Sequence, residues 1–358
     1  RQRPARQRPG QSGTVVRSFM AHHQGMSLLA LLWVLRDRPM QRRFLADRSF
    51  QAAMLLLHER VPHTTAVLDH TAQLSGMQAV SAVEAPVRRF DSPDTAVPEV
   101  DLLSNGRYHV MVSNAGGGYS RWKEYAVTRW REDLCADDHG SFCYVRDLSS
   151  GKWWSAAHQP TRQLPAFHEV TFSAGRAEFR RRDVVPTPSA FPDFTVHSSE
   201  IETYTEVAVS PEDDIELRRL RITNHSRQPR RIELTSYAEV VIAPHADDLQ
   251  HPAFSTRFVQ TEIVPERNAI LCTRRPRSST EQPPWMLHLM VVREDAVEGA
   301  VEVGELSYET DRERFIGRGN SVAAPQALIA ASGPLSGTER AVLDAVVAIR
   351  SVITLNAR

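Results

Sequence analysis

From about residue 101 the chain repeats one pattern: short runs in which apolar and polar residues alternate, separated by turn-forming clusters. Ser198 to Val209 reads SSEIETYTEVAV, Ile215 to Thr223 reads IELRRLRIT, and Arg231 to Val241 reads RIELTSYAEVV; Tyr108 to Val112 alternates in the same way. A period of two places successive side chains on opposite faces of a strand, so each run can bury one face and wet the other. Pro211-Glu-Asp-Asp214 and Asn224-His-Ser226 lie between the runs, and such residues turn the chain by bonding their own backbone. Many short strands at a spacing of roughly 10–15 residues predict a mainly β, antiparallel sandwich. Residues 341–355 still read as strand, and no internal repeat is evident.

The first hundred residues read differently. Residues 1–13, RQRPARQRPGQSG, have the composition of a disordered tail. Residues 14–62 predict an α-helical hairpin, with apolar stretches at Met26–Leu35 and Phe50–Leu57 and a break at Arg36-Asp37-Arg38-Pro39. Val61-Pro62 closes the second helix, because proline disfavours a helical residue before it. The apolar face is wider than two helices can cover, so Leu28, Leu31, Leu32, Leu35, Leu55 and Leu56 are expected to pack on each other or on the rest of the chain. Residues 63–100, with Pro86, Pro93 and Pro98, read as a linker, and 101–358 as the β domain.

Composition removes several function classes. Among 358 residues, Lys+Arg and Asp+Glu both number 43, so there is no net field to draw in nucleic acid or an anionic membrane. Three cysteines, Cys135, Cys143 and Cys272, lack metal spacing, and fit a reducing compartment better than a disulfide framework. No signal peptide is visible, and the longest apolar run, Leu28 to Leu35, is too short to cross a bilayer. The expectation is a cytoplasmic chain that makes no membrane contact of its own and carries no cofactor.

The segment Ser113–Trp122, SNAGGGYSRW, is the densest candidate site. Consecutive glycines permit positive φ and close approach of a ligand or neighbouring chain. Tyr119 and Trp122 can stack on a sugar ring, and Ser120 and Arg121 can bond hydroxyls or phosphate. The same residues equally suit a tight turn whose aromatics cap the sandwich. No GK[ST] follows, so it is not a phosphate-cradling loop. In Arg129-Trp130-Arg131-Glu132-Asp133, alternation puts Arg129 and Arg131 on one face, fit for a sugar subsite or for a salt-bridge ladder. Asp137-Asp138-His139 offers acid/base groups, though adjacent acids in a Gly-flanked loop are usually solvated. His22-His23-Gln24 and the group His245, Asp247, Asp248 and His251 have metal-ligating side chains without metal spacing. Both read more simply as capping or loop polarity, and no metal site is expected.

These segments carry a resemblance. Residues 105–147, together with His251-Pro-Ala-Phe254, Arg274-Arg-Pro-Arg277, Glu309-Thr-Asp-Arg-Glu-Arg-Phe-Ile-Gly-Arg-Gly319, Leu335-Ser-Gly-Thr338 and Val342-Leu-Asp344, resemble the amino-terminal sandwich of glycoside hydrolase family 94. Residues 17–62, most sharply Ala21-His-His-Gln-Gly-Met-Ser27, resemble the end of the glucoamylase-like domain that precedes that region in cyclic β-1,2-glucan synthases. The order of the two parts is that of the synthases. The resemblance implies a galactose mutarotase-like β-supersandwich after a helical hairpin. It also implies a parent enzyme that transfers glucose into β-1,2-glucan, membrane-associated at full length, with a phosphorylase-like region tied to chain-length control. Family 94 enzymes are inverting phosphorylases whose catalytic acid belongs to an (α/α)6 barrel after the sandwich.

Three functions stay open on these grounds. The first is a carbohydrate-binding and assembly fragment using Tyr119, Ser120, Arg121, Trp122, Arg129 and Arg131, with a glucan or oligosaccharide as partner and no catalytic residue of its own. The second is a complete inverting phosphorylase of the family 94 type. The third is a non-enzymatic module through which the chain forms a homodimer.

Overall fold

The structure is a computed structural model, and it describes residues 21–47, 50–51, 87–132, 136–186, 198–276, 281–293, 303–330, 333–340 and 342–357. The chain divides into two compact units, residues 1–80 and 81–358.

In the first unit, α1 (Ala21–Arg36) runs through AHHQGMSLLALLWVLR, a stretch without proline and rich in leucine. His22 and His23 therefore sit in its first turn rather than ahead of it, and the Ser27 hydroxyl bonds the His23 carbonyl. Asp37 and Arg38, both at positive φ, stop the helix. Pro39 then opens α2 (Pro39–Phe44), a position where its missing N–H costs nothing. The Phe44 and Phe50 rings stack at 4.2 Å. Most of the expected second helix, including Leu55 and Leu56, lies outside the described residues. No residue of α1 is buried, and Leu28 and Leu35 are about two-thirds exposed.

The second unit is a β-supersandwich. Its strands are β1 (Arg88–Phe90), β2 (Val100–Ser104), β3 (Tyr108–Ser113), β4 (Gly118–Trp122), β5 (Tyr125–Thr128), β6 (Ser141–Asp147) and β7 (Trp153–Ser155). There follow β8 (Phe167–Ser173), β9 (Arg176–Pro186), β10 (Ser198–Val209), β11 (Glu216–Asn224) and β12 (Arg230–Pro244). The last are β13 (Val259–Val264), β14 (Ala269–Arg274), β15 (Trp285–Leu289), β16 (Ser307–Asp311) and β17 (Ala345–Leu355). The mainly β, antiparallel architecture expected from the alternation is the one found, and the alternating run at Ser198–Val209 is β10 residue for residue. Strand β1 lies within the stretch that reads as linker and pairs with β8.

Among the described residues the strands form three sheets. One runs β1-β8-β9-β10-β11, a larger one β16-β17-β12-β5-β4-β3-β2 with β6 and β7 branching from β12, and a small one β13-β14-β15. Strand β12 is the spine: its first half pairs with β6, its second half with β5, and its other edge with β17. The five-stranded sheet covers one face of the large sheet, with Phe172 and Phe179 against Val110 and Val112, and Ile201 against Trp154 and Ile232. The small sheet lays Val259, Ile270 and Cys272 on Val240, Val347 and Ile349. The opposite faces of β12 and β17 pack on Phe315, Ile316 and Leu328 from the short helices after β16. Being covered on both sides, β17 loses its alternation and reads AVVAIRSVITL, a near-continuous apolar run.

Candidate functional site

The glycine turn after β3 is held by its own chain. Residues 113–118 are buried. A Cβ on Gly118, at φ +152, would overlap the Met111 carbonyl, and one on Gly117 would come 2.8 Å from the Asp137 carbonyl. The Asp137 carboxylate accepts from Ser113 Oγ at 3.1 Å; burial raises its pKa, and that bond opposes the rise without cancelling it. Gln159 donates its backbone N–H to the Ala115 carbonyl at 2.8 Å and its side-chain amide to the Ala136 carbonyl at 3.0 Å. The glycines thus let three loops meet, and Asp137 serves that junction. Asp138 and His139 lie 3.6 Å apart and partly exposed beside it.

Strand β4 then splits its residues by face. Ser120 points inward, 1% exposed, where its hydroxyl reaches the Glu216 carboxylate and its N–H bonds Thr128 Oγ1 at 2.9 Å. Trp122 lies on the same side, donating its indole N–H to Asp214 at 2.6 Å. Lys123 Nζ stands 4.4 Å from the indole centroid and Tyr125 stacks beside it at 5.9 Å. On the other side, Arg121 is exposed and bonds the Lys123 carbonyl, while Tyr119 meets Trp130 edge-on at 5.5 Å.

Arg129 and Arg131, on either side of Trp130 in the chain, enter a charge network. Arg129 donates to Glu239 at 2.6 Å and forks onto Asp344 at 2.8 and 3.2 Å. Its Nε is 3.9 Å from Asp248, whose other oxygen pairs with Arg131 at 2.5 Å. Glu239 also takes Arg312 Nε at 2.7 Å and the Tyr237 hydroxyl at 3.0 Å. Burial would raise the Glu239 pKa, but Arg129 and then Arg312 outweigh it and hold the carboxyl below its usual range. Asp248 is buried, whereas Arg312 and Asp344 keep about a third of their side-chain surface in water. The network is a sealed floor with an open rim.

Local folding explains how the rim is placed. Glu239 lies just before a bulge in β12, where pairing to β5 shifts register between Val240 and Ala243. There the β-branched Ile242 is buried at φ 40, a conformation that costs roughly 1–3 kcal/mol and persists only where the surroundings enforce it. Arg274 grips the neighbouring Val241 carbonyl at 3.1 Å. Arg312 opens a short helix (Arg312–Ile316) whose cap is Asp311, which accepts the Glu313 N–H at 2.9 Å. The Arg312 backbone N–H bonds the Asp344 carbonyl at 3.0 Å.

Of the six sequence candidates, Arg129 and Arg131 share one acid, Asp248; Tyr119 joins them through Trp130; Ser120 and Trp122 face the 210–216 loop; and Arg121 stands apart. Glu239, Arg312 and Asp344 are not among the sequence's site candidates, although Arg312 and Asp344 lie in strings that carry the family resemblance. A signal for Glu239 exists: an acid inside the long apolar-rich strand segment 230–244 must find a cation when buried. His245, Asp247 and Asp248 lie in or beside a short helix (His245–Gln250), and no group of three metal-ligating side chains occurs among the described residues.

The comparisons with known proteins meet this geometry. Residues 83–184 and 190–358 match the glycosyl hydrolase 94 supersandwich domain. The chain belongs to that family. It is also 35% identical over 357 residues, 99% of its length, to the cyclic beta-(1,2)-glucan synthase NdvB of Rhizobium meliloti (strain 1021). The N,N'-diacetylchitobiose phosphorylases of Vibrio furnissii and Vibrio proteolyticus are 28% and 27% identical over 48% of the chain. The chain spans 12% of that synthase and 20% of each phosphorylase. The glycosyl hydrolase 94 likeness thus covers the sandwich, while the synthase likeness extends through α1 and α2 as well.

Proposed function

We propose that this chain is a carbohydrate-contacting and assembly-supporting part of a β-1,2-glucan synthase-like enzyme. In the whole enzyme its surroundings would perform glucosyl transfer and phosphorylase-type control of chain length on the cytoplasmic side of a membrane. No helix among the described residues is long and apolar enough to cross one. The observation that carries the reading is the open rim itself. In the ring pair Tyr119 and Trp130, Trp130 stands between Arg129 and Arg131 in the chain, with Arg131 donating to the Trp130 carbonyl at 3.0 Å and Arg129 fixed on Glu239 and Asp344. A sugar offers an apolar ring face for the aromatics and hydroxyls for the charged groups. Tyr119 and Arg131 are the contact residues beside the network in this proposal, and Arg121 and Trp122, which stand away from it, would offer separate contacts. Ser120 and Arg129, turned inward, position them.

Titrating the chain with a β-1,2-linked gluco-oligosaccharide by calorimetry tests the proposal, and saturable binding is expected. The same chain given the oligosaccharide and inorganic phosphate is expected to release no glucose 1-phosphate; release above a blank would establish it as a phosphorylase in its own right.

A second reading, a dimerisation module, has one observation in its favour. Among the described residues strand β15 pairs with β14 alone and exposes Trp285, Leu287 and Leu289 on one face, and an unpaired apolar edge invites another chain. Sedimentation of the chain with Leu287→Lys, against the unaltered chain, separates the two: a dimer that Leu287→Lys dissolves supports this reading.

A further inference from the structure

We infer that Arg312 is a glycan-contacting residue whose anchored guanidinium, together with the Asp344 carboxylate, grips a vicinal diol of a neutral sugar. The inference deepens the glucan reading above and rests on it.

Three observations on this chain converge. First, Arg312 is tied down at one end only. Its Nε donates to Glu239 at 2.7 Å and lies 3.7 Å from Asp344, and among the described residues its two terminal amino groups have no partner. Second, the anchor is rigid. Glu239 is buried, and Arg129 and the Tyr237 hydroxyl hold it from other sides. The helix carrying Arg312 is capped by Asp311, and its first N–H is fixed by the Asp344 carbonyl. A long side chain normally loses rotamer entropy when it grips a ligand; this one has surrendered much of it already. Third, the rim opens to water at this place and not at the floor, since Arg312 and Asp344 are about a third exposed while Asp248 is sealed.

The chemistry of the rim selects the ligand. A free guanidinium fork alone would suit a phosphate or a carboxylate. Here Asp344 shares the opening, the exposed Glu313 follows Arg312 directly, and the network is balanced. Arg129, Arg131 and Arg312 stand against Glu239, Asp248 and Asp344. An anion would meet a carboxylate at the moment it met the fork. A pair of neighbouring sugar hydroxyls has no such conflict. One oxygen accepts from an Arg312 amino group, and the other donates its proton to Asp344. The Asp344 oxygens each hold one bond from Arg129 and retain a further lone pair.

The test uses the full chain and a β-1,2-linked gluco-oligosaccharide, with inorganic phosphate as the competing probe. Arg312→Gln is expected to weaken oligosaccharide binding about tenfold or more, the scale of losing hydrogen bonds from a charged donor. Arg312→Lys should recover only part, because an ammonium is not a fork. The denaturant midpoint of both variants should stay close to that of the unaltered chain. In the unaltered chain the Arg312 Nε–H resonance should shift on titration, a readout independent of any variant. Unchanged binding in Arg312→Gln with an unmoved Arg312 resonance overturns the inference and leaves the glucan reading standing. Loss of cooperative unfolding in both variants, again with an unmoved resonance, marks a structural ion pair and overturns it too. Phosphate binding that depends on Arg312 and competes with the sugar reassigns the rim to anions. If the unaltered chain binds no oligosaccharide, the glucan reading itself falls, and this inference with it.

Discussion

Two arginine–carboxylate networks lie in the same sandwich and differ in one respect. Arg181 and Asp183 on β9 form a bidentate pair at 2.6 and 2.7 Å, both fully enclosed, with Arg181 also clamping the Ala157 and Gln163 carbonyls. Every hydrogen bond there is spent within the fold. The network of Arg129, Glu239, Arg312 and Asp344 is ion-paired at its floor, though Arg129 Nε there makes no hydrogen bond among the described residues, and it stops short at the surface. A closed network fixes the chain; one that ends at a half-exposed guanidinium leaves donors for something else. Ion pairing alone therefore does not mark a site, and where the pairing ends is more telling.

That contrast can be broken most forcefully at the closed end. Asp183→Asn leaves Arg181 buried without its counter-ion, and chemical denaturation should show a loss of about 3–5 kcal/mol. A loss below about 1 kcal/mol would mean that water reaches the pair and that the two networks do not differ.

Acid sharpens the picture next. His168, beside Arg181, and His288, bonded to Ser236 Oγ at 2.9 Å, are each held neutral, first by burial, with pKa values lowered to about 4. A depressed folded pKa means that the unfolded chain takes up protons first. The stability these groups give is complete above the ordinary imidazole pKa of about 6.5 and is lost as pH falls toward about 4. The loss should be on the order of 2 kcal/mol for each, and His288→Gln should flatten the curve of stability against pH across that window. Glu239, also depressed, adds acid sensitivity at still lower pH.

At the open end the effects are smaller and fall on binding. Trp122→Ala should cost about 1–2 kcal/mol of oligosaccharide affinity if the indole is an anchor. If instead the Asp214 bond is its main task, the variant loses stability and keeps its affinity. Arg312→Gln should change folding stability by less than about 1 kcal/mol, since the guanidinium is about a third exposed and the buried Glu239 keeps Arg129 and the Tyr237 hydroxyl, and urea unfolding checks it.

How much of this was readable beforehand depends on burial geometry. Strands β10, β11 and β12 sit one face in and one face toward water or a second layer, and their alternation gave them away within a residue or a few at each end. The bulge at Ile242 left no trace, because an isoleucine at positive φ is imposed by the fold and not by local preference. Arg129 and Arg131 were legible as same-face residues, and both reach Asp248. Their acids were not, since Asp248, Glu239 and Asp344 lie more than a hundred residues downstream and only tertiary structure joins them. The glycines looked like room for a ligand, yet the 136–139 and 154–163 loops supply the close neighbours. Sequence shows that a backbone can be approached and not by what.

Sugar contact at the proposed surface is tested most directly by an NMR titration of the unaltered chain with a β-1,2-linked gluco-oligosaccharide, read at the tryptophan indole N–H signals. Trp130 meets Tyr119 edge-on and its carbonyl accepts from Arg131, whereas Trp154 is fully buried in the sandwich core. A saturable shift of the Trp130 signal is expected while that of Trp154 stays in place. A Trp130 signal that does not move at saturating sugar, or one that moves no more than Trp154, contradicts that contact.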